Sequence, residues 1–347
     1  MLASAAIMKC FTLTRNSFAF ILIAQFITGV AFNFTYNVAP VLAAKWFRNN
    51  EASFVIGATT CTVYIGNAIS YAQPLIFEKA QTEEQIKSIL LKMKIGMAVL
   101  SILCMALVIS FMKNRPPQPA NIAEARRSEM KNSSNSLTQL FRNKNFLLAA
   151  LNVFISNTAS DSCNILLNQI FSKDYADATA FTTITGLVYN VSAIIGSLVL
   201  PLILDKTKRY QLLIFWTYSI AFIFSLLFMT ALFFKLNYLI HLFIFLFGAC
   251  LYGQSVMMFD LIIELTYPFP QGTSVGLITG LSYITNMCFV PFLSWIIEAS
   301  NILYAICVFE SLLLIGFLPL FFISYKLLRN EAEMNDAQTT KVECEEL

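Results

Sequence analysis

Residues 113–145 read KNRPPQPANIAEARRSEMKNSSNSLTQLFRNKN, the one long interval of this chain that could not sit in hydrocarbon. It holds Pro116, Pro117 and Pro119, a Ser/Asn cluster from Asn132 to Ser136, and seven basic residues: Lys113, Arg115, Arg126, Arg127, Lys131, Arg142 and Lys144. Three long apolar stretches precede it, at 17–40, 52–75 and 93–112. Six follow, at 146–170, 179–203, 210–233, 238–262, 272–297 and 302–327. Each is long enough to cross roughly 30 Å of hydrocarbon as a helix, the form that satisfies every backbone polar group within one segment. The chain therefore reads as an all-α integral membrane protein with about nine transmembrane helices, three before a polar loop and six after it. The expected organisation is a three-helix segment over 1–112, a loop over 113–145, a six-helix half over 146–328 and a polar tail over 329–347.

Composition agrees with that class. With 57% hydrophobic residues, 12% charged, 32 Phe and a single His in 347 residues, there is too little polar surface to cover a soluble globule of this size. The net charge of +3 is small, and the basic residues gather between apolar segments instead of lining one face, so no nucleic-acid partner is expected. Of eight cysteines, Cys61, Cys104, Cys163, Cys250, Cys288 and Cys307 lie within apolar runs, and no CxxC occurs, so neither a disulfide framework, a metal site nor a cofactor is expected. Residues 1–16 carry Lys9 and Arg15 and no acid, as a cleaved leader would, but the apolar run that follows has the length of a full span.

Basic residues in the short connections give a direction. With the 113–145 loop in the cytoplasm, that side also holds Lys45, Arg48, Lys206, Lys208, Arg209, Lys326, Arg329 and Lys341, fifteen in all against eight on the other side. The C-terminus is then cytoplasmic. The flanks of the first span do not decide its own direction.

Polar residues inside apolar runs are costly in a bilayer unless they face protein or water. Asp161 is the sharpest case, in the run Asn157-Thr-Ala-Ser-Asp161-Ser-Cys-Asn164. Asn157, Asp161 and Asn164 share one helical face and read as the lining of an aqueous cavity, the plainer alternative being hydrogen-bonded packing between helices. Asp260 and Glu264 share a face near the cytoplasmic end of their span and suit a gate better than a ligand site. Gly272, Gly276 and Gly280 repeat every four residues, a stripe that admits close packing or sliding of another helix. Glu310 lies in the last span with no partner evident from the sequence. The connection Asp205-Lys206-Thr-Lys208-Arg209 places an acid at a helix end before three bases. Asp205 is expected to cap the cytoplasmic start of the second span near Asn49 to Ser53, using the positive end of that helix.

Such a charged turn resembles the cytoplasmic loops of the major facilitator superfamily. Glu264-Leu-Thr266-Tyr267-Pro268-Phe-Pro-Gln-Gly272-Thr273-Ser274-Val-Gly276 resembles the E-x-T-Y-P-x-x-x-G-T-S-x-G signature of its feline leukaemia virus subgroup C receptor-related family. Leu166-Leu167-Asn168-Gln169 resembles that family's L-L-N-Q, and Trp46-Phe47, Glu51 and Gly66-Asn67 resemble its W-F…E…G-N run. The order is preserved from Ser17 to Arg329. The resemblance implies helices four to twelve of a twelve-helix fold, an N-terminally truncated version lacking helices one to three, as a shortened gene model, a splice form or a degenerate copy would give.

The same resemblance implies a multi-pass carrier, expected at the plasma membrane, working by alternating access on a small organic solute: a choline- or ethanolamine-type cation, with haem the family's other described substrate. Its partners are then the substrate and the lipid bilayer. The family's aromatic in its seventh helix falls at Asp161, and its glutamines in helices five and eleven fall near Ala68 and Tyr283, so the implied site is altered. Asp161 becomes the counter-ion, Tyr283 and Tyr189 an aromatic wall, with Asn157, Asn164 and Gln169 alongside. Asp205, Lys206, Arg209, Asp260, Glu264, Gly272, Gly276 and Gly280 are the candidate gating residues. The alternative is a non-transporting membrane protein that partners or regulates a full-length relative. An enzyme is not expected, since nothing resembles a nucleophile with its base, H-E-x-x-H or a phosphate loop. The lone His241 reads as an interfacial side chain and not as a haem ligand.

Overall fold

A computed structural model describes the chain except for residues 13–17, 49–50, 78–81, 114–136, 176, 300–301, 326 and 332–347. Most of the expected polar loop and tail, including its proline cluster, thus lies outside the described residues. The described residues form thirteen α-helices: α1 (Leu2–Cys10), α2 (Phe18–Tyr36), α3 (Val38–Trp46), α4 (Ala52–Ala72), α5 (Pro74–Phe77), α6 (Glu83–Phe111), α7 (Leu137–Arg142), α8 (Lys144–Asp174), α9 (Ala178–Thr207), α10 (Tyr210–Phe233), α11 (Asn237–Leu265), α12 (Gln271–Ala299) and α13 (Ile302–Phe317). A 3₁₀ turn, Leu318–Phe321, closes the last of them.

Eight segments among the described residues are long and apolar enough to cross a membrane, with α2 and α3, and α4 and α5, each counted as one continuous segment. Nine were expected. The difference is α8, which at 31 residues has the length but not the apolarity. Asn152, Ser156, Asn157, Thr158, Ser160, Asp161, Ser162, Asn164, Asn168 and Gln169 all sit on it, and a helix this polar persists only where neighbouring helices satisfy those groups.

The chain divides into two compact units. In the first, residues 1–38 and 73–117, α1 packs on α2 and α6. Thr82 opens α6 with a reciprocal capping box to Gln85, and Lys94 Nζ donates to Thr12 Oγ1 at 3.1 Å, tying α6 to the end of α1. Ala98 is the one buried residue of α6, leaving a long apolar surface of the kind that faces lipid.

The second unit, residues 39–72 and 118–347, is organised around α11. Every residue from Leu251 to Thr266 is buried. A helix that is covered on all sides must have its polar residues matched by neighbours. The principal packing partners of α11 are α9 and α10, while α9 also carries α4, and α8 carries α12 and α13. Absent side chains set the closest crossings: a Cβ on Gly57 would strike the Ser197 carbonyl, one on Gly196 the Ala249 carbonyl, and one on Gly253 the Gly196 carbonyl. The glycines that bring backbones together are therefore on α4, α9 and α11. On the expected α12 stripe, Gly272 faces only Val41 at 3.1 Å, and Gly280 has open space where a side chain would stand. The close crossing expected from that stripe is not made at Gly280.

Candidate functional site

The polar face of α8 is real and partly accessible: Asn157, Asp161, Asn164 and Asn168 all retain exposure, whereas Thr158, Ser162 and Leu166 on other faces are buried. Spacings of four, three and four keep these residues on one stripe. Asp161 Oδ2 accepts a hydrogen bond of 2.6 Å from Asn286 Nδ2 on α12. No lysine or arginine among the described residues pairs with this carboxylate. The Oδ1 of Asn286 is buried without a hydrogen-bond partner. An acid and a neutral amide thus share a site whose net charge stays negative whenever the acid is ionised.

One turn further on, the Asn164 carbonyl accepts from the Tyr71 hydroxyl at the end of α4, and its side chain lies 3.4 Å from Asn190 Nδ2. Aromatic residues from three helices meet nearby. Tyr64 of α4 lies 4.5 Å from Tyr252 of α11, which lies 5.3 Å from Tyr189 of α9. The Tyr189 hydroxyl donates at 3.4 Å to the carbonyl of Ser160, the residue before Asp161 on α8.

Sequence reasoning named some of these residues and missed others. Tyr283 sits three residues before Asn286 on α12 and is half-buried. Tyr189, expected as a wall of the cavity, is 0% exposed and packs between Phe247 and Tyr252, so it faces no open space in this conformation. Gln169 is not brought to Asp161 at all. Eight residues along the helix, about 12 Å, it donates to the Ser294 carbonyl and to Glu298 Oε1, and beside it Lys173 donates to the Ile297 carbonyl, locking the ends of α8 and α12 together. Asn286, Tyr71, Asn190, Tyr64 and Tyr252 were missed. Asn286 and Asn190 carried the same signal as Asp161, a polar side chain inside an apolar run, and the tyrosines carried none.

Glu310 does have a partner: Ser225 Oγ of α10 donates to it at 2.6 Å. His241 is held by neighbours on its own side of the unit, with Nδ1 2.7 Å from the Asn237 carbonyl and Nε2 3.3 Å from Thr185 Oγ1.

A second polar cluster gathers at the end of the unit where α4 begins. Asp205 Oδ2 accepts from the Phe54 backbone N–H at 2.8 Å, filling one of the donors that the first turn of α4 leaves open. Lys208 Nζ lies 3.2 Å from the other oxygen. Lys208 itself terminates α9 in a left-handed conformation (φ 53°), its N–H donating to the Leu204 carbonyl. Lys206 and Arg209 are exposed. Asp260, fully buried on α11, accepts from Ser53 Oγ of α4 and from the Tyr210 hydroxyl of α10, both at 2.6 Å on Oδ2, while Oδ1 has no hydrogen-bond partner. Glu264 Oε2, one turn on, accepts from the Asn330 N–H at 3.1 Å. Gly272 and Gly276 begin α12 just beyond the Tyr267–Pro268 turn, with Gly276 half-buried. Four helices, α4, α9, α10 and α11, are thereby joined through two carboxylates at one end, and a third carboxylate holds the C-terminal segment.

The sequence and the fold of this chain have counterparts among known proteins. An MFS-type transporter of Caenorhabditis elegans is 26% identical over 321 residues, covering 91% of this chain and 55% of the relative. The choline/ethanolamine transporter FLVCR1 of Mus musculus is 27% identical over 301 residues, covering 81% and 53%. The chain spans about half the length of these curated relatives. Among solved structures, the transporter FucP in its outward conformation superposes with a TM-score of 0.68 at 18% identity, over 93% of this chain and 80% of FucP, a likeness of fold alone. The sequence profile of the Major Facilitator Superfamily matches residues 1–287. On that match, which spans most of both units, the chain belongs to the Major Facilitator Superfamily.

Proposed function

We propose that this chain acts in carrying a small organic cation of the choline or ethanolamine type across a membrane by alternating access, with Asp161 as the counter-ion. One observation carries the reading: a carboxylate on the accessible stripe of α8 whose hydrogen-bond partner is a neutral amide. With no basic partner among the described residues and only partial exposure, that charge favours a cation and repels an anion. Choline and ethanolamine fit this requirement. Haem, with two propionates, would bring like charge to Asp161 and is the weaker candidate. Asn157 and Asn164 flank the acid on the same stripe, and Tyr283 stands beside the Asn286 partner. Tyr189 would reach a ligand only after the packing around it opens.

In this reading residues 1–112 correspond to helices four to six of the fold, 146–328 to its C-terminal six-helix half, and the C-terminus lies in the cytoplasm, with the plasma membrane as the expected site. The bonds of Asp205 to α4 and of Asp260 to Ser53 and Tyr210 then form the cytoplasmic gate, broken when the carrier opens inward. Lys206 and Arg209 keep that turn at the membrane surface, and the open side of the stripe at Gly280 leaves room for the moving partner.

The test is equilibrium binding of radiolabelled choline and ethanolamine to the purified chain in nanodiscs, paired with uptake into vesicles. Saturable binding that Asp161→Asn weakens, with haem failing to compete, supports the proposal. Equal binding by wild type and Asp161→Asn, or tighter binding of haem than of choline, overturns it.

A further inference from the structure

Outside the proposed transport site, the second unit has a groove of about 670 Å³ where α10 begins. One wall is the first two turns of α10, including Phe215 and Trp216, and the other is Phe321 of the 3₁₀ turn and Tyr325, four residues beyond it. Its end is set by Lys208 and Arg209, and no carboxylate lines it among the described residues. Trp216 is 57% exposed and Phe321 58%, so the apolar walls are open to the surroundings and not closed by protein. Phe215 and Phe321 meet edge to face at 5.2 Å, which gives the floor a fixed shape.

Position and chemistry agree on one occupant. Lys206, Lys208 and Arg209 sit in the turn between two helices that are long and apolar enough to cross a membrane, which puts the basic end of the groove at the membrane surface and its aromatic end within the acyl region. Trp and Tyr concentrate at that depth, and Arg there pairs with phosphate through a planar fork of donors. Lys208 is partly engaged by Asp205, so among the described residues Arg209 is the more exposed cation of the groove. We propose that this groove binds an anionic phospholipid of the adjoining leaflet, its phosphate and acidic headgroup at Arg209 and Lys208 and one acyl chain along Trp216 and Phe321. The site lies away from Asp161, and a lipid held there would stiffen the turn from which Asp205 reaches α4.

Trp216 makes the test direct. The purified chain in nanodiscs of phosphatidylcholine doped with acyl-brominated phosphatidylserine should show stronger tryptophan quenching than with brominated phosphatidylcholine at the same dose. Arg209→Gln should weaken the phosphatidylserine effect about fivefold, the contribution of one basic residue near an anionic leaflet. Trp216→Phe should remove the excess quenching, since the other two tryptophans lie elsewhere. Removing two charges from the neighbouring turn with Lys45→Gln and Arg48→Gln should leave it largely intact. Equal loss in both charge variants would mean a diffuse surface attraction, and displacement by soluble glycerophosphoserine would mean a phosphate site without a lipid chain. Either result, or equal quenching by the two lipids, overturns the proposal. None of these readouts depends on whether the chain transports choline.

Discussion

Replacing Asp205 tests the carboxylate latch at the level of a single hydrogen bond. In the wild type its Oδ2 accepts from the Phe54 N–H at 2.8 Å and the side chain is only 5% exposed. Asp205→Asn keeps an oxygen at that position but removes the charge. It therefore loses the attraction to the start of α4, about 0.5–1 kcal/mol, and a partly screened contact with Lys208, up to about 0.5 kcal/mol. Asp205→Ala loses the cap entirely, about 2 kcal/mol. Local opening of the first turn of α4 should then rise about fivefold in the Asn variant and about thirtyfold in the Ala variant. Amide hydrogen exchange of the segment 52–57 reads this opening at the bond in question. Unchanged protection in both variants would refute the latch. Equal acceleration in Asn and Ala would assign the whole effect to the charge and refute a separate contribution from the capping oxygen, whereas acceleration in Ala alone would refute the role of the charge.

Other perturbations follow from the same contacts. Asp161→Asn should weaken choline binding by about tenfold or more, because a unit charge a few ångströms from a cation in a partly dry site is worth at least about 1.4 kcal/mol; radioligand titration checks it. Gly196→Ala should lower the thermal unfolding temperature, since the added methyl would meet the Ala249 carbonyl and the backbones would have to part at a cost of about 1–3 kcal/mol. Gly280→Ala, with open space at that position, should leave the unfolding temperature unchanged or raise it, worth up to about 1 kcal/mol of helix propensity. Gln254→Leu should destabilise by about 1–3 kcal/mol, because the Gln254 amide donates to Asn152 Oδ1 at 2.7 Å inside the core and Asn152 in turn donates to the Gly316 carbonyl; thermal unfolding of the variant in detergent measures it.

The helical membrane architecture was legible because length and apolarity are linear properties of the chain. α8 shows the limit of that reading. Its central run looked like a span interrupted by polar residues, and only the packing of α11, α12 and α13 around it reveals how those residues are satisfied. Asp161 was legible as an anomaly, a charge in an apolar context, and Asp205 as an acid at a helix end, since both signals are local. Their partners were not. Asn286 lies 125 residues from Asp161 and Ser53 lies 207 from Asp260, and no spacing rule links positions so far apart. Glycine illustrates the same point from the other side. A regular four-residue stripe drew attention to α12, yet the tightest crossings are made at Gly57, Gly196 and Gly253, whose neighbours are set by tertiary packing. Tyr189, expected to wall a cavity, is instead fully buried between Phe247 and Tyr252, because aromatic identity does not say which way a ring faces.

The measurement closest to the central claim asks whether the stripe of α8 lines a water-filled path that a cation can enter. Asn157→Cys, one turn from an intact Asp161, in a background with the eight native cysteines replaced by serine or alanine, can be treated with a membrane-impermeant trimethylammonium methanethiosulfonate, itself a choline mimic. Modification faster than by an uncharged reagent of similar size, slowed by choline, is the predicted result. No modification, or a rate that choline leaves untouched, would place the stripe against protein or lipid and contradict the account.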